Sequence, residues 1–344
     1  MIREIYEYKY CYSLGWYCGI ASALEYNGLR RYSGPFDWYF SDYPSVLSMM
    51  DTDFQDFLDI NNLQVESHRK EAFDDVKYGF RYVHDVKHDF DSEYTEIYEK
   101  YQRRINRFRE TIKQPTCFFH AVRSNVELKF ISENNTYINY VIKKTNHQNS
   151  VIYLLLNNME VLENEECYYL GLDEYPYDPY QIATLFEKNT QLVNRCKELL
   201  SKEDIQNNIY FFENGGNHLN LKVGFLLKDI NTVKKIESII GNRDLYLWGA
   251  GHYGEKTLSL LQNSSIKVLG IIDNDFNKQN ENINGTPIIP FKNLTKSVPI
   301  FIDLGNEEYC KDIKQQILAE NPTINVFGWQ DVLQRYPLKR TIRN

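Results

Sequence analysis

Residues 244–254 read Asp-Leu-Tyr-Leu-Trp-Gly-Ala-Gly-His-Tyr-Gly, and this run decides the fold class of the region around it. The apolar residues 245–248 predict a short buried strand. Three glycines in the pattern Gly-x-Gly-x-x-Gly follow, and residues 255–261 have the composition of a helix. A strand that enters a helix through such a glycine turn is typical of a mononucleotide-binding βαβ unit. The sequence therefore predicts an α/β fold here.

Each glycine of this turn has its own expected role. Gly249 allows the tight turn, Gly251 lets the backbone approach a phosphate, and Gly254 lets the helix pack on the strand. The second strand, 266–272, ends at Asp273, where a carboxylate could accept hydrogen bonds from a ribose hydroxyl. Free N–H groups at the helix start would bind the anion. The alternative is a glycine turn that serves packing alone and binds nothing.

Two further runs carry a resemblance. Ile271-Ile-Asp-Asn-Asp275 and Asn284-Gly-Thr-Pro-Ile-Ile-Pro290 are similar to the small Rossmann-like domains of bacterial enzymes that make surface polysaccharides, such as capsule or lipopolysaccharide. The resemblance implies a nucleotide or a nucleotide-sugar as ligand and does not choose between them. It makes a nicotinamide redox role less expected, because no second half for hydride transfer is recognisable.

The region upstream alternates between helix and strand patterns. Apolar residues recur at intervals of three and four over about 93–113, which predicts an amphipathic helix, and a second helix is expected over about 180–200. The short apolar runs 116–123 and 150–156 predict buried strands. Strands that alternate with helices indicate a mainly parallel sheet.

The domain boundaries follow from these patterns. Residues 208–223 read as a β-hairpin around Asn214-Gly-Gly-Asn217, and we expect the first domain to end just beyond it. The prediction is an N-terminal α/β domain over 1–228, a C-terminal Rossmann-like nucleotide-binding domain over 229–335, and a basic tail over 336–344.

Composition excludes several classes of protein. The 344 residues carry 39 Lys and Arg against 47 Asp and Glu, a net charge of -8, and nucleic acid requires the opposite sign. Apolar runs stop at about six residues, well short of a membrane span. The charged N-terminal start lacks the apolar stretch of a signal peptide, so we expect a cytoplasmic protein. Self-association into a homo-oligomer stays open.

Six cysteines are spread over the chain without a C-x-x-C pair, a spacing that suits neither a zinc site nor a disulfide scaffold, so no metal is expected. Cys18 differs from the others by position. A predicted strand over 8–12 leads into a helical pattern over 18–24, and this places Cys18 in the first turn of the helix. Free amides and the positive end of the helix dipole favour a thiolate there and could hold an oxyanion. The alternative is a buried structural cysteine.

The N-terminal region carries its own resemblance. Three runs resemble an uncharacterised bacterial family named for a papain-like cysteine peptidase. They are Ser13-Leu-Gly-x-x-Cys18-x-x-Ala21, the run 29–38 that ends in Ser-Gly-Pro-Phe-Asp-Trp, and His88-Asp-Phe90. The resemblance covers about 8–228. It implies a thiol nucleophile at Cys18 and a base at His88. The predicted parallel sheet departs from the papain pattern, although a nucleophile between strand and helix occurs in other hydrolase folds.

A third member is needed to orient the base. Asp89 follows His88 directly, and on a strand its side chain would point away from that of His88. We therefore expect Asp37 to fix the orientation of the imidazole. The alternative for Asp37 is a carboxylate that caps a turn. His120 closes a predicted strand and is the reserve base.

The sequence is compatible with three functions. The first is a thiol-dependent acyl-transfer or hydrolase-type enzyme of surface-polysaccharide biosynthesis, which acts on a small-molecule or glycan substrate and carries a nucleotide module. The second is a sugar-nucleotide-dependent transferase in which Cys18 is structural. The third is a non-catalytic protein that senses a nucleotide.

Overall fold

The computed structural model describes residues 7–66, 69–86, 89–163, 165–176, 179–214, 219–227, 229, 231–241, 244–262, 264–294 and 297–336. The chain divides into two compact units, residues 1–212 and 213–344. Within the described ranges, no helix combines the length and the apolarity that a membrane span requires.

The strands and helices of the first unit alternate with long connections. Its strands are β1 Tyr10–Ser13, β2 Tyr39–Phe40, β3 Leu63–Glu66, β4 Arg69–Asp75, β5 Phe80–Tyr82, β6 Thr116–Ala121, β7 Ser150–Leu155 and β8 Glu166–Tyr169. Its α-helices are α1 Cys18–Tyr26, α2 Tyr43–Asp51, α3 Phe90–Thr111, α4 Asn125–Glu133, α5 Asn135–Lys143, α6 Pro179–Ala183, α7 Thr190–Leu199 and α8 Lys202–Asn214, the last of which runs across the division. Short 3₁₀ helices cover Ile60–Asn62 and Leu185–Lys188.

The central sheet of this unit has the order β1-β6-β7-β8 with every neighbouring pair parallel. Every residue of β6 is buried, as expected for a central strand whose two faces are both covered. The predicted strands and the parallel sheet are therefore confirmed. The predicted amphipathic helix is α3, which starts one residue after Asp89, whose side chain accepts a hydrogen bond from the Ser92 amide.

A second sheet of the first unit, β2-β5-β4-β3, is antiparallel throughout and was not predicted. Its buried face is aromatic, with the rings of Phe73 and Tyr82 stacked at 4.4 Å between centroids. The unit is a mixed α/β structure with a parallel sheet and an antiparallel sheet.

Two sequence predictions near the end of the first unit are wrong. The helix expected over about 180–200 is broken into α6, a 3₁₀ turn and α7. The hairpin expected over 208–223 is helical wherever it is described, in α8 and in α9 (Leu219–Leu226), and residues 215–218 lie outside the described residues. Ile205, Ile209 and Phe212 recur at intervals of four and three, and this helical period outweighs the glycines that suggested a turn.

The second unit contains the glycine turn. Its remaining helices are α10 Thr232–Ile240, α11 His252–Gln262, α12 Glu307–Glu320 and α13 Trp329–Arg335, and a 3₁₀ turn covers Phe291–Asn293. Its strands are β9 Asp244–Trp248, β10 Lys267–Ile272, β11 Asn282–Ile283, β12 Thr286–Ile289, β13 Ile300–Ile302 and β14 Val326–Gly328. The strand order is β11-β12-β10-β9-β13-β14, parallel from β12 to β14, with only β11 antiparallel to its neighbour.

Candidate active site at the end of the parallel sheet

The connection from β1 to α1 is a strained turn. Gly15 and Trp16 have φ of 81° and 65°, so a bulky residue occupies the left-handed region that glycine favours. The turn is fixed because the Leu14 amide donates to the Phe119 carbonyl at 2.9 Å and the Trp16 amide donates to Ser41 Oγ at 2.9 Å. Strain of this kind persists where the surrounding structure imposes it, often at functional sites.

Cys18 is the first residue of α1, as the sequence predicted for the thiol. Tyr17 precedes it in extended conformation and provides no side-chain hydrogen bond to the helix start. The first-turn amides of α1 therefore have no capping side chain, which is the arrangement that can accept an oxyanion. Cys18 itself is partly exposed, and it packs at the margin of the core of the first unit.

The ionisation of Cys18 differs from the expectation. Burial raises the pKa of the thiol to about 11, although a hydrogen bond from its own backbone acts in the opposite direction. No imidazole among the described histidines contributes to this pKa; these histidines are His84, His120, His147 and His252. The expectation of a resting thiolate is therefore wrong: desolvation of the sulfur outweighs the helix start.

The predicted base, His88, lies outside the described residues, as do His68 and His218. Its role stays a prediction. Its neighbour Asp89 is described. The carboxylate of Asp89 caps the start of α3, and this role explains its presence without a contact to a histidine.

Asp37 is placed in an ion pair. Its Oδ2 accepts hydrogen bonds from Arg30 Nη1 at 2.6 Å and from the Gly34 amide at 2.8 Å, and Arg30 also pairs with Glu25. Burial raises the pKa of Asp37, and the Arg30 guanidinium offsets only part of that effect. Within the described part of the chain, no hydrogen bond joins Asp37 to an imidazole. This carboxylate is bound to Arg30 and Gly34 of its own run, and its expected role in orienting His88 stays a prediction, because His88 lies outside the described residues.

His120, the reserve base, is fully buried in β6. Its ring stacks on Tyr43 at 3.9 Å between centroids, and its Nε2 lies 3.4 Å from Glu127 Oε2. Successive strand residues point to opposite faces. Phe119 stacks on Phe186, in the 3₁₀ segment that packs with α1, so His120 points to the other face. The structure does not bring His120 into hydrogen-bond contact with Cys18.

Glu127 was missed at the level of sequence. It accepts hydrogen bonds from the backbone amides of Arg123 at 2.6 Å and Tyr43 at 3.2 Å. Burial alone would raise the pKa of this carboxyl, but His120 and the Arg123 amide outweigh burial and hold the pKa below its ordinary value. Ser124-x-x-Glu127 has the spacing of a capping box, a signal that predicts the start of α4 but not the contact with His120.

An aromatic cluster covers the carboxyl ends of β6 and β7 beside Cys18. Tyr175 donates to the carbonyls of Val122 and Leu154, both at 3.1 Å. Trp16 and Tyr17 lie against the same ring, at 5.4 Å and 5.2 Å between centroids. Aromatic rings therefore line the edge of the sheet next to the thiol, and two backbone carbonyls hold Tyr175 in place there.

The glycine turn of the second unit contains two glycines that the fold requires and one that it does not. A Cβ on Gly254 would collide with the Gly249 carbonyl, and Gly249 has a φ of 119°, so both must be glycine for the fold. A Cβ on Gly251 would meet no atom within 4 Å. The fold of this unit does not require Gly251 to be glycine.

Asp273 is tied to this turn. Its Oδ2 accepts the Ala250 amide at 2.7 Å and its Oδ1 accepts the Asp275 amide at 2.8 Å. In the described chain the carboxylate thus fixes the glycine turn, and its expected contact with a ribose stays a prediction. No set of three or more His, Cys, Asp or Glu side chains in the described ranges is arranged to hold a metal ion.

Comparison with known proteins gives three matches. Residues 9–161 match the family described as "Putative papain-like cysteine peptidase (DUF1796)", and residues 241–325 match the family described as "C2185-like, N-terminal". An uncharacterized protein, R408, of Acanthamoeba polyphaga mimivirus is 30% identical over 166 residues, which are 38% of this chain and 74% of the viral protein. No solved structure matches. None of these descriptions mentions polysaccharide synthesis or a nucleotide, so those two expectations gain no support from them.

Proposed function

The chain belongs to the family described as "Putative papain-like cysteine peptidase (DUF1796)", which its residues 9–161 match, and on this premise we propose that the first unit is a cysteine-dependent hydrolase with Cys18 as nucleophile. The observation that carries the proposal is the position of this thiol. It is the first residue of a helix without a side-chain cap, directly after a strained turn at the carboxyl edge of a parallel sheet. Nucleophiles of unrelated hydrolases occupy the same strand-to-helix position.

The raised pKa determines how such a thiol would work. With a pKa of about 11, roughly one molecule in ten thousand carries a thiolate at pH 7. A base must therefore take the proton as the sulfur attacks the carbonyl carbon. We assign this base to His88. The carbonyl oxygen becomes an oxyanion beside the first-turn amides of α1. When this oxyanion collapses, the bond between the carbonyl carbon and the leaving group breaks, and the leaving group takes the proton from the imidazolium. Water then hydrolyses the thioester to a carboxylic acid and the free thiol of Cys18.

Turnover of p-nitrophenyl acetate tests the proposal without assuming a natural substrate. Cys18→Ala should abolish the turnover, whereas Cys167→Ala, which alters another partly exposed cysteine, should retain it. Equal turnover by both variants would contradict the assignment and would favour the transferase in which Cys18 is structural. Circular dichroism of both variants checks that the fold is intact.

For the second unit we propose a Rossmann-like module that binds a nucleotide or a nucleotide-sugar. The strand order β12-β10-β9-β13-β14 supports this, because it has the 3-2-1-4-5 pattern of dinucleotide-binding sheets. The open space at Gly251 supports it as well, since close approach of a phosphate explains a glycine that packing does not require.

A thermal-shift panel tests the module with nucleoside diphosphates, their sugars, NAD and coenzyme A. We expect a ligand to raise the melting temperature of the wild type. Gly251→Ala should keep the melting temperature of the free protein and lose the ligand-induced shift, because the added methyl group occupies the space of the phosphate. Gly254→Ala should lower the melting temperature of the free protein. A shift that persists unchanged in Gly251→Ala, or no shift with any compound, would overturn the proposal.

A further inference from the structure

The rings of the aromatic cluster beside Cys18 differ in exposure. Tyr17 and Tyr175 are buried, whereas Trp16, Phe40 and Cys18 itself are only partly buried. The rings of this cluster that remain partly accessible next to the thiol are therefore those of Trp16 and Phe40. No function assigned above uses them.

Phe40 is joined to the turn that carries the thiol. Its ring lies 6.3 Å from the ring of Trp16 between centroids, and the next residue, Ser41, accepts the Trp16 amide at 2.9 Å. A Cβ on Gly15 would collide with the same Ser41 oxygen, so the end of β2 is in close contact with the turn. Trp16 is two residues before Cys18, which limits the distance between their Cα atoms to about 7 Å.

Two features of Trp16 are unfavourable in themselves. Its φ of 65° lies in the left-handed region, where glycine is relaxed and a bulky residue is strained. Its indole N–H is buried and has no hydrogen-bond acceptor within the described residues. Neither the backbone nor the polar group therefore explains a tryptophan here, and what the residue contributes is the apolar face of its ring.

The described chain supplies no charge to the surroundings of the thiol. Burial raises the pKa of Cys18, and no charged side chain among the described residues contributes to this pKa. Apolar rings without a neighbouring charge favour an apolar group of the substrate, because their contact removes apolar surface of both from water.

We propose that the partly exposed rings of Trp16 and Phe40 form an acyl-binding surface, which selects substrates with an apolar chain or ring next to the carbonyl that Cys18 attacks. The inference rests on the proposed hydrolase function and names its substrate class. The acyl group is the part of the substrate that becomes bonded to the sulfur, so it lies beside these rings when the carbonyl is attacked. Each of its methylene groups that is buried against the rings should raise kcat/KM about fourfold.

The test compares p-nitrophenyl acetate with p-nitrophenyl butyrate, with Cys18→Ala as the blank for spontaneous hydrolysis. The test variants are Trp16→Ala and Phe40→Ala, and Trp16→Phe keeps an apolar ring in place. The matched control is Tyr140→Ala, which removes an exposed ring of α5 outside the cluster. The quantity measured is the ratio of kcat/KM for butyrate to kcat/KM for acetate, because this ratio does not depend on the fraction of protein that is folded.

We expect a ratio of up to about 15 in the wild type, which corresponds to two buried methylene groups. Tyr140→Ala should keep this ratio, and Trp16→Phe should keep most of it. Trp16→Ala and Phe40→Ala should each lower the ratio about fivefold, because each removes one of the two rings that the longer chain contacts.

Three results would overturn the inference and leave the hydrolase function standing. They are equal kcat/KM for the two esters in the wild type, an unchanged ratio in both alanine variants of the surface, and a ratio that falls as far in Tyr140→Ala as in Trp16→Ala. Failure of the wild type to turn over either ester through Cys18 would instead contradict the hydrolase function, and the inference would fall with it.

Discussion

The substitution Asp303→Asn should stabilise the second unit at neutral and alkaline pH. Asp303 follows β13 and is buried, and its Oδ1 accepts the indole N–H of Trp329 at 2.5 Å. Burial raises the pKa of this carboxyl from 3.8 to about 6, and the hydrogen bond from Trp329 offsets only part of the effect. The charged form is therefore the costly one in the folded state.

The magnitude follows from linkage. Because the folded chain holds the proton more tightly than the unfolded chain, stability falls as the pH rises from about 4 to about 6 and stays low above that value. A difference of about two pKa units corresponds to roughly 3 kcal/mol. Asparagine removes the charge and keeps a carbonyl oxygen for Trp329, so the gain should approach about 3 kcal/mol at pH 8 and should vanish near pH 4.

Hydrogen–deuterium exchange of β9, β10 and β13 reports the opening free energy of this unit separately from the first. At pH 8 the variant should exchange more slowly in all three strands, by up to about a hundredfold for a gain near 3 kcal/mol. Exchange measured near pH 4 is the control, where the two proteins should agree. A variant that is less stable at pH 8, or that differs from the wild type equally at both pH values, would refute the reasoning.

Two further predictions concern the first unit. Arg30→Ala should lower the free energy of unfolding by about 3–5 kcal/mol, because two buried carboxylates, Glu25 and Asp37, lose their partner. The control Arg103→Ala should lower it by less than about 1 kcal/mol, because the pair with Glu99 is exposed. Unfolding by denaturant measures both values. In the protein without substrate, alkylation of Cys18 by iodoacetamide should be slow at pH 7, and its rate should rise about tenfold per pH unit toward pH 11, because only the thiolate reacts. A rate that reaches its plateau below pH 8 would show that the pKa of the thiol is not raised.

The sequence predicts the parallel framework well because its signals are local. The run 116–123 is mostly apolar, and the spacing of apolar residues over about 93–113 is helical. The glycine turn indicates the end of β9 and the start of α11. The antiparallel sheet was missed because β2 has two residues and β5 three, too few to establish an alternating pattern. The prediction of a hairpin over 208–223 is wrong because the helical spacing of Ile205, Ile209 and Phe212 outweighs the local preference of two adjacent glycines for a turn.

The candidate site was predictable only in part. The position of Cys18 at a helix start follows from neighbouring residues, and it was predicted. Its ionisation depends on how much of the surrounding core covers the sulfur, which a local pattern does not contain. The pairing of Asp37 with Arg30 was within reach, because both residues belong to one run of ten. The contact between His120 and Glu127 depends on the packing of α4 against β6, and no local signal encodes it.

The central claim is that Cys18 forms a covalent acyl intermediate. The most direct measurement is mass spectrometry of the protein quenched during turnover of p-nitrophenyl acetate, followed by peptide mapping. We predict a single acetyl group on the peptide that contains Cys18, which appears before the steady state and disappears when the ester is exhausted. An acetyl group on any other residue during turnover, or turnover without acetylation of Cys18, would contradict the account.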